Sequence, residues 1–483
     1  MSSNKQIKYN LSNIPGFMDF MKNGVIPIEY QKYYSSHNYY TISDDKYLII
    51  RYNKEILSSD IINTYGLLRS VIAIKKKINI EEVARKINFS EEEEEEEEKE
   101  ESSDLSEASK LSEAKTLRFS EEEEEEEKKR RGSENLRFSE EERRGSKRLK
   151  VVCYSPPKSL SCENFMIKYP IKTKHIIAEE FIEGTMINVF YDLSIHRWQI
   201  ATRNTVGADV SFYTSSNMTF NDMFMDACLN NQFNIEMLNP NYCYSFVLQH
   251  SANRIVVPIK HSQLYLVGVY EINQDENNIE VIEQNLSDVK TDVFLNMTKI
   301  RFPERYEFST YSELIEKFAS TNTPYEIMGI IIKNMETGER TKIRNPIYEE
   351  VKQLRGNQPK LQYQYLCLRH SGKLPLFLKY YPETKQEMSK FRDQVHMFTE
   401  SLHKNYISCY VKKEKSLQEY SNQYRTHMFK LHEHFINNLR PKKLYISNTE
   451  VIKYVNNLHP SLLMYSLNFN MRKRLVDNIQ NQI

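Results

Sequence analysis

The chain has 483 residues, 40% of them hydrophobic, with 66 Lys and Arg against 66 Asp and Glu, so its formal net charge is zero. That length suits about two to four domains with room for a real core, and no run of about 18 apolar residues offers a membrane span. The polar start (Ser2, Ser3, Asn4, Lys5) has no secretion-signal core, and six Cys lie scattered without a Cys-x-x-Cys spacing, which predicts an intracellular protein with reduced thiols and no zinc site.

The first elements are β-like. Tyr39-Tyr40-Thr41-Ile42 and Tyr47–Tyr52, separated by Ser43-Asp44-Asp45-Lys46, predict a hairpin. Thr64–Ala73 predicts a further strand, and Ile80–Ile87 a short helix. Residues 90–148 then break the pattern. They contain glutamate runs at 91–98 and 121–127, Phe-Ser-Glu-Glu-Glu starting at 89, 119 and 138, and Arg-Arg-Gly-Ser starting at 130 and 143. Like charges at this density repel, and little apolar surface offsets the entropy of ordering, which predicts a disordered acidic repeat insertion. Ser133 and Ser146, beside paired arginines, are modification candidates. Residues 90–150 hold 24 acidic and 14 basic residues, leaving 42 acidic and 52 basic in the rest. The folded part is thus basic, which suits a polyanionic partner.

A strand pattern resumes at Leu149–Tyr154 and ends in Pro156-Pro157-Lys158. Residues 179–192 read as two strands bent at Glu183-Gly184-Thr185, and Trp198–Gly207 as another strand that delivers Arg203. A helix over Thr219–Asn230 follows, with Phe220, Met223, Phe224 and Cys228 on one face. Tyr242–Gln249 and Asn253–Pro258 read as a strand pair, Leu264–Glu271 as a buried strand and Tyr311–Ala319 as a helix. Tyr325–Lys333 and Arg340–Tyr348 form a second hairpin around Asn334, Thr337 and Gly338. From about 360 the pattern is helical. Phe391, Val395, Phe398 and Leu402 make one stripe, Tyr424, Met428, Leu431, Phe435 and Leu439 another, and Ser447–Glu450 resembles a capping box. His427, His432 and His434 lack ligand spacing, so no metal is expected there.

The order of these pieces resembles the adenylyltransferase domain of the phage-type (tRNA-mending) RNA ligase family. That resemblance implies an α+β fold, the nucleotidyltransferase core of antiparallel sheets shared by RNA and DNA ligases, followed by a helical C-terminal domain. It divides the chain into 1–89 (N-terminal part of the core), 90–148 (insertion), 149–358 (core) and 359–483 (helical domain). Gly66–Ile72 and Val151–Lys158 resemble two adjacent strands of that core, so the insertion is a loop grown between neighbours, which loop-closure entropy permits. Lys158 is then a phosphate-contact candidate.

Position by position, the family's nucleophilic Lys falls on Phe181, its Asp on Glu183, and its Gly on Gly184. One metal-holding Glu falls on Val247 and another on Met328, with Gly329 kept, while the closing Lys pair falls on Lys342 and Arg344. Arg203 is kept. A phenyl ring has no lone pair to attack phosphorus. The resemblance therefore implies nucleotide- or phosphate-binding candidates Glu183, Gly184, Arg203, Lys342, Arg344 and Lys158, with no catalytic or metal residue assigned. Glu183 could still reach a ribose or a metal. Two substitutes are open: Glu326 for Met328, on the same strand face, and Lys172 or Lys174 for Phe181. Three functions follow as expectations. The first is an RNA-ligase-like protein that has lost lysine adenylylation and binds RNA or a protein partner without a cofactor. The second is an active ligase using ATP and Mg2+ to join RNA 5′-phosphate and 3′-hydroxyl ends. The third is a virion or assembly scaffold. The glutamate repeats and AT-rich composition also resemble proteins of large DNA viruses.

Overall fold

A computed structural model of the chain describes residues 6–40, 46–56, 58, 61–75, 149–212, 218–358 and 360–472. The helix expected at 80–87 and the acidic insertion lie outside the described residues. Fourteen strands are seen among the described residues. They are β1 (Ile7–Asn10), β2 (Tyr34–Tyr40), β3 (Lys46–Tyr52), β4 (Val71–Lys75), β5 (Leu149–Cys153), β6 (Ile176–Glu180) and β7 (Thr185–Asp192). The chain continues with β8 (Arg197–Ala201), β9 (Tyr242–Gln249), β10 (Gln263–Gln274), β11 (Ile279–Glu283), β12 (Arg305–Tyr306), β13 (Gly329–Asn334) and β14 (Arg340–Arg344).

They build three antiparallel sheets, of order β1-β11-β10-β9-β7-β8, β12-β6-β13-β14 and β2-β3-β4-β5. The expected first hairpin is β2–β3, with Tyr39 opposite Tyr47. β4 and β5 pair directly, Ala73 opposite Val151, so the long acidic connection joins neighbouring strands of one sheet. The β2-β3-β4-β5 sheet is tied to the large one by polar bonds. Tyr47 donates to Asp192 at 2.8 Å, and the Val151 amide to Gln274 at 2.9 Å. Their apolar residues merge into one core that includes Phe17, Phe20, Tyr34, Ile50, Val71 and Phe190.

β6 leaves the middle sheet at Glu180 and re-enters the large sheet as β7 after four residues. Gly184 makes this switch possible. Its φ is +153°, and a Cβ there would lie 2.5 Å from the Leu248 carbonyl oxygen of β9. Gly329 does the same for the opening of β13, with φ +133° and the Ile343 carbonyl at 2.1 Å.

Three expectations need correction. Thr64–Ala73 opens with a helical turn, Ile62–Tyr65, and only Val71 onward is strand. Asn253–Pro258 is a loop after a 3-10 turn, and the strand partnering β9 begins at Gln263. Its carbonyls and amides are instead bonded to Arg254, Tyr381 and Glu183. Arg340–Tyr348 stops being strand at Arg344. Asn345 caps a helix whose first residue is Pro346: the Asn345 side chain accepts from the Ile347 amide at 2.9 Å.

The chain after Pro346 is helical. Its main helices are Pro346–Arg355, Leu361–His370, Leu374–Tyr380, Lys385–Tyr406, Asn422–His434, Asn448–Asn456 and Pro460–Leu467. The two predicted stripes meet in one apolar cluster containing Val395, Phe398, Leu402, Met428, Leu431 and Val451, and Tyr348 already belongs to it. His427 is part of that packing. Its ring nitrogens bond Tyr454 and Ser466, each at 2.9 Å, and burial lowers its pKa to about 4. His432 stacks on Tyr410, and His434 lies 3.6 Å from Glu450. No helix among the described residues is long and apolar enough to cross a membrane.

Candidate functional site

The sheet switch at 181–184 opens a cavity of about 240 Å³ between the middle and large sheets. Its walls include Phe181 and Gly184 from the switch, Val247 from β9, Met328 just before β13, and Lys342 and Arg344 from β14. Residues as far apart in the chain as Arg69 and Arg344 are thus brought together. Ile182 and Val247 pack with Tyr265, Met186 and Val267 into a small apolar cluster on one wall. The three positions where the ligase pattern expects an amine and two carboxylates are apolar and face one space. Carboxylates remain at the rim: Glu179 and Glu180 line the cavity, with Glu179 3.4 Å from Arg305. Val247 and Met328 offer no oxygen to a hard cation. Among the described residues no group of three or more His, Cys, Asp or Glu is arranged to hold a metal ion. The positions of Val247 and Met328 supply no metal ligand.

Lys342 crosses from this wall into a second space. Its ammonium nitrogen sits 4.6 Å from the centre of the Phe181 ring. Burial, then Arg340, Arg69, Arg344 and Lys158 in that order, push its pKa down to about 6. The adjoining cleft, of about 380 Å³, is lined by Tyr52, Lys54, Arg69, Lys158, Ser159, Arg203, Lys342 and Arg344.

Backbone and side-chain bonds explain why these cations converge. The Lys158 amide donates to Gly66 at 2.9 Å, Ser155 to the Ser70 carbonyl at 2.9 Å, and Ser70 to the Arg203 carbonyl at 3.3 Å. Arg340 donates to the Pro157 carbonyl at 2.9 Å, which locks β14 against the segment carrying Lys158. Arg203 lies over the Tyr52 ring at 5.6 Å. The Nε atoms of Arg203 and Arg340 are buried without a hydrogen-bond partner among the described residues. A donor left so costs about 1–3 kcal/mol. Arg69, mostly buried, is lowered to about 10 by burial and then by Arg340. Lys158 is lowered by burial and then by Arg69, Arg344, Arg203 and Lys54.

Five of the six sequence candidates (Gly184, Arg203, Lys342, Arg344 and Lys158) line these two joined spaces. Glu183 does not. It is buried, and its carboxylate accepts from the amides of Val256 at 3.1 Å and Val257 at 3.0 Å. The Tyr348 hydroxyl also bonds it, while burial raises its pKa. It is a joint between the switch, the 253–257 loop and the first helix of the helical region. Glu326 is exposed and lines neither space, while Met328 does. Lys172 bonds the Phe308 carbonyl, away from both. The sequence reading missed Arg69, Lys54 and Arg340. Arg340 had a signal, since Arg340, Lys342 and Arg344 alternate along one strand and so share a face. Arg69 and Lys54 sit in irregular segments and had none.

No family model matches the chain. By sequence it is nonetheless a distant relative of the RNA ligases, and the relatives it matches are viral proteins. It is 23% identical over 217 residues to the RNA ligase of Rhodothermus phage RM378, covering 40% of this chain and 48% of that protein. It is 24% identical over 304 residues to the immediate-early protein ICP-46 homolog of Invertebrate iridescent virus 6, covering 59% of this chain and 64% of that one. The chain thus spans less than two thirds of the length of either relative. Among solved structures, the RNA ligase of Naegleria gruberi aligns with 42% of the chain and 58% of its own, at 11% identity and a TM-score of 0.31.

Proposed function

We propose that this protein is an RNA-ligase-like nucleotidyltransferase fold that has given up lysine adenylylation and binds RNA through its cationic cleft. One observation carries the reading: Phe181, Val247 and Met328 line a single cavity together with Lys342 and Arg344. Adenylyl transfer needs an attacking amine, metal-holding carboxylates and cations that stabilise phosphate charge. At the positions that the ligase pattern gives to these parts, Phe181, Val247 and Met328 replace the first two, and the basic residues are kept. Cations in a cleft still attract and position a polyanion.

The test is RNA binding as a function of salt. Affinity falls with salt along a line whose slope counts the phosphates neutralised, about 0.7 per contact for a single strand. Replacing Arg203 or Arg344 by Met flattens the slope by about that amount for each. A slope unmoved by either change places RNA elsewhere and refutes this site.

A second reading, an active ATP-dependent ligase, has one observation in its favour. Lys342 is an amine held neutral at pH 7 beside Phe181, so an adenylate formed in this pocket would be found on Lys342.

A further inference from the structure

All six thiols are free, and two of them meet. Cys153 ends β5 and Cys243 is the second residue of β9, so they belong to two different sheets. Both are buried, at 0% and 2% exposure. The Tyr154 amide donates to the Cys243 sulfur at 3.3 Å. The thiols of Cys243 and Cys153 in turn donate to the Tyr154 carbonyl, at 3.6 and 3.9 Å. Sharing that acceptor, the two thiols also bond each other. Among the described residues no other thiol bonds a thiol: Cys162 meets Met166, and the shifts at Cys228, Cys367 and Cys409 have no cysteine among their causes.

Packing holds the pair in place. Cys153, Tyr154, Cys243 and Tyr270 share one core, where the Tyr154 ring meets Tyr270 edge-on at 5.1 Å and stacks on Tyr9 at 5.6 Å. A single buried thiol fills a core as a small apolar group. Two in contact, across the seam between separate sheets, are also the two halves of a covalent tie.

We propose that Cys153 and Cys243 are a modification site, a redox pair that closes into a disulfide and staples the β2-β3-β4-β5 sheet to the large sheet. The co-reactant is a small-molecule disulfide of the glutathione class. One cysteine, as thiolate, attacks it, releasing one small thiol and leaving a mixed disulfide. The other cysteine, as thiolate, attacks the protein sulfur of that mixed disulfide and releases the second small thiol. The protein gives up two protons and two electrons, and the small disulfide is reduced to two thiols. Burial, then the adjacent Cys243, hold the Cys153 thiol well above its ordinary pKa, and only the thiolate attacks. The closed protein therefore reacts slowly, and exchange proceeds when the seam between β5 and β9 opens. The same burial shields the finished bond from reductant. The tie fixes to the large sheet the strand pair from which Arg69, before β4, and Lys158, after β5, leave.

The experiment equilibrates the full, reduced chain with oxidised glutathione at pH 8 without oxygen. Acid quenching, alkylation under denaturing conditions and peptide mapping without reduction follow. A species lighter by two hydrogens, with the Cys153 and Cys243 peptides linked, is expected, and it should form tenfold or more faster in urea below the unfolding transition. The oxidised chain should melt about 5 °C or more above the reduced one, because a cross-link over so long a loop restricts the unfolded chain. The mapping is made on the unsubstituted chain, so it stands even where Cys153→Ala or Cys243→Ala fails to fold. Recovery of both cysteines alkylated, in protein whose exposed thiols have become glutathionylated, overturns the proposal. So does a link joining any other pair. A Cys153–Cys243 bond that lowers the melting temperature overturns the staple, since it would form only by straining the seam.

Discussion

The two spaces that meet at Lys342 have opposite characters. The smaller has an apolar wall of Phe181, Ile182, Val247 and Met328, and the larger is almost wholly cationic. Had the site simply decayed, charge and apolarity would be mixed across both. Instead the apolar residues gather on one wall of the smaller space, and the basic residues gather in the larger. Keeping those cations is costly, since Lys342, Arg69 and Lys158 all sit at depressed pKa values in part because of one another. A cost of this kind argues for a ligand that offsets it.

That contrast can be broken most strongly from the cationic side. The double variant Arg203→Met/Arg344→Met should weaken RNA binding by tenfold or more at low salt and steepen nothing at high salt, as read by polarisation titrations. Neutralising the exposed Arg392, far along the chain in the helical region, should leave affinity within twofold. From the apolar side, Phe181→Lys places a second amine against Lys342 and Arg344. It should destabilise the fold by about 3 kcal/mol or more, because a buried charge is left unpaired. It should still show no adenylylation, since Val247 and Met328 stay apolar.

A smaller effect of opposite sign is expected at the boundary. In the folded state Lys342 titrates near 6, below the ordinary lysine value of 10.5. Between those values the unfolded chain binds the extra proton, so this residue makes stability rise with pH. Lys342→Met should therefore raise the melting temperature at pH 7 by several degrees, on the order of 1–3 kcal/mol, with the gain shrinking toward pH 10. A variant that is less stable at pH 7 would show that Lys342 is held by a partner rather than tolerated. An effect of similar size on stability, and none on binding, concerns the joint. Glu183→Ala leaves the amides of Val256 and Val257 without their acceptor, so it should cost about 1–3 kcal/mol in denaturant midpoints and leave the RNA salt slope unchanged.

The fold was legible where local pattern and order sufficed. The first hairpin and the helices at Phe220–Asn230 and Tyr311–Ala319 follow from alternation, stripes and caps, and the pairing of β4 with β5 across the insertion from the family resemblance. The apolar wall was legible too, since Phe181, Val247 and Met328 were picked by their places in a pattern. What was not legible depends on long-range hydrogen bonds. Glu183 reads as a pocket acid until the amides 73 and 74 residues away claim its carboxylate. Asn253–Pro258 reads as a strand until Glu183 and Tyr381 hold it as a loop. Arg69 donates to the Pro156 carbonyl at 3.5 Å, beside the bond from the Lys158 amide to Gly66, and both contacts span the whole acidic insertion.

The measurement that bears most directly on the central claim is incubation of the purified protein with α-labelled ATP and Mg2+ or Mn2+, followed by a denaturing gel and, for any labelled band, peptide mass mapping. The account predicts no label on this protein under conditions in which an active RNA ligase is labelled. A labelled band at the protein's mass, mapping to Lys342 or to any other lysine, would contradict it.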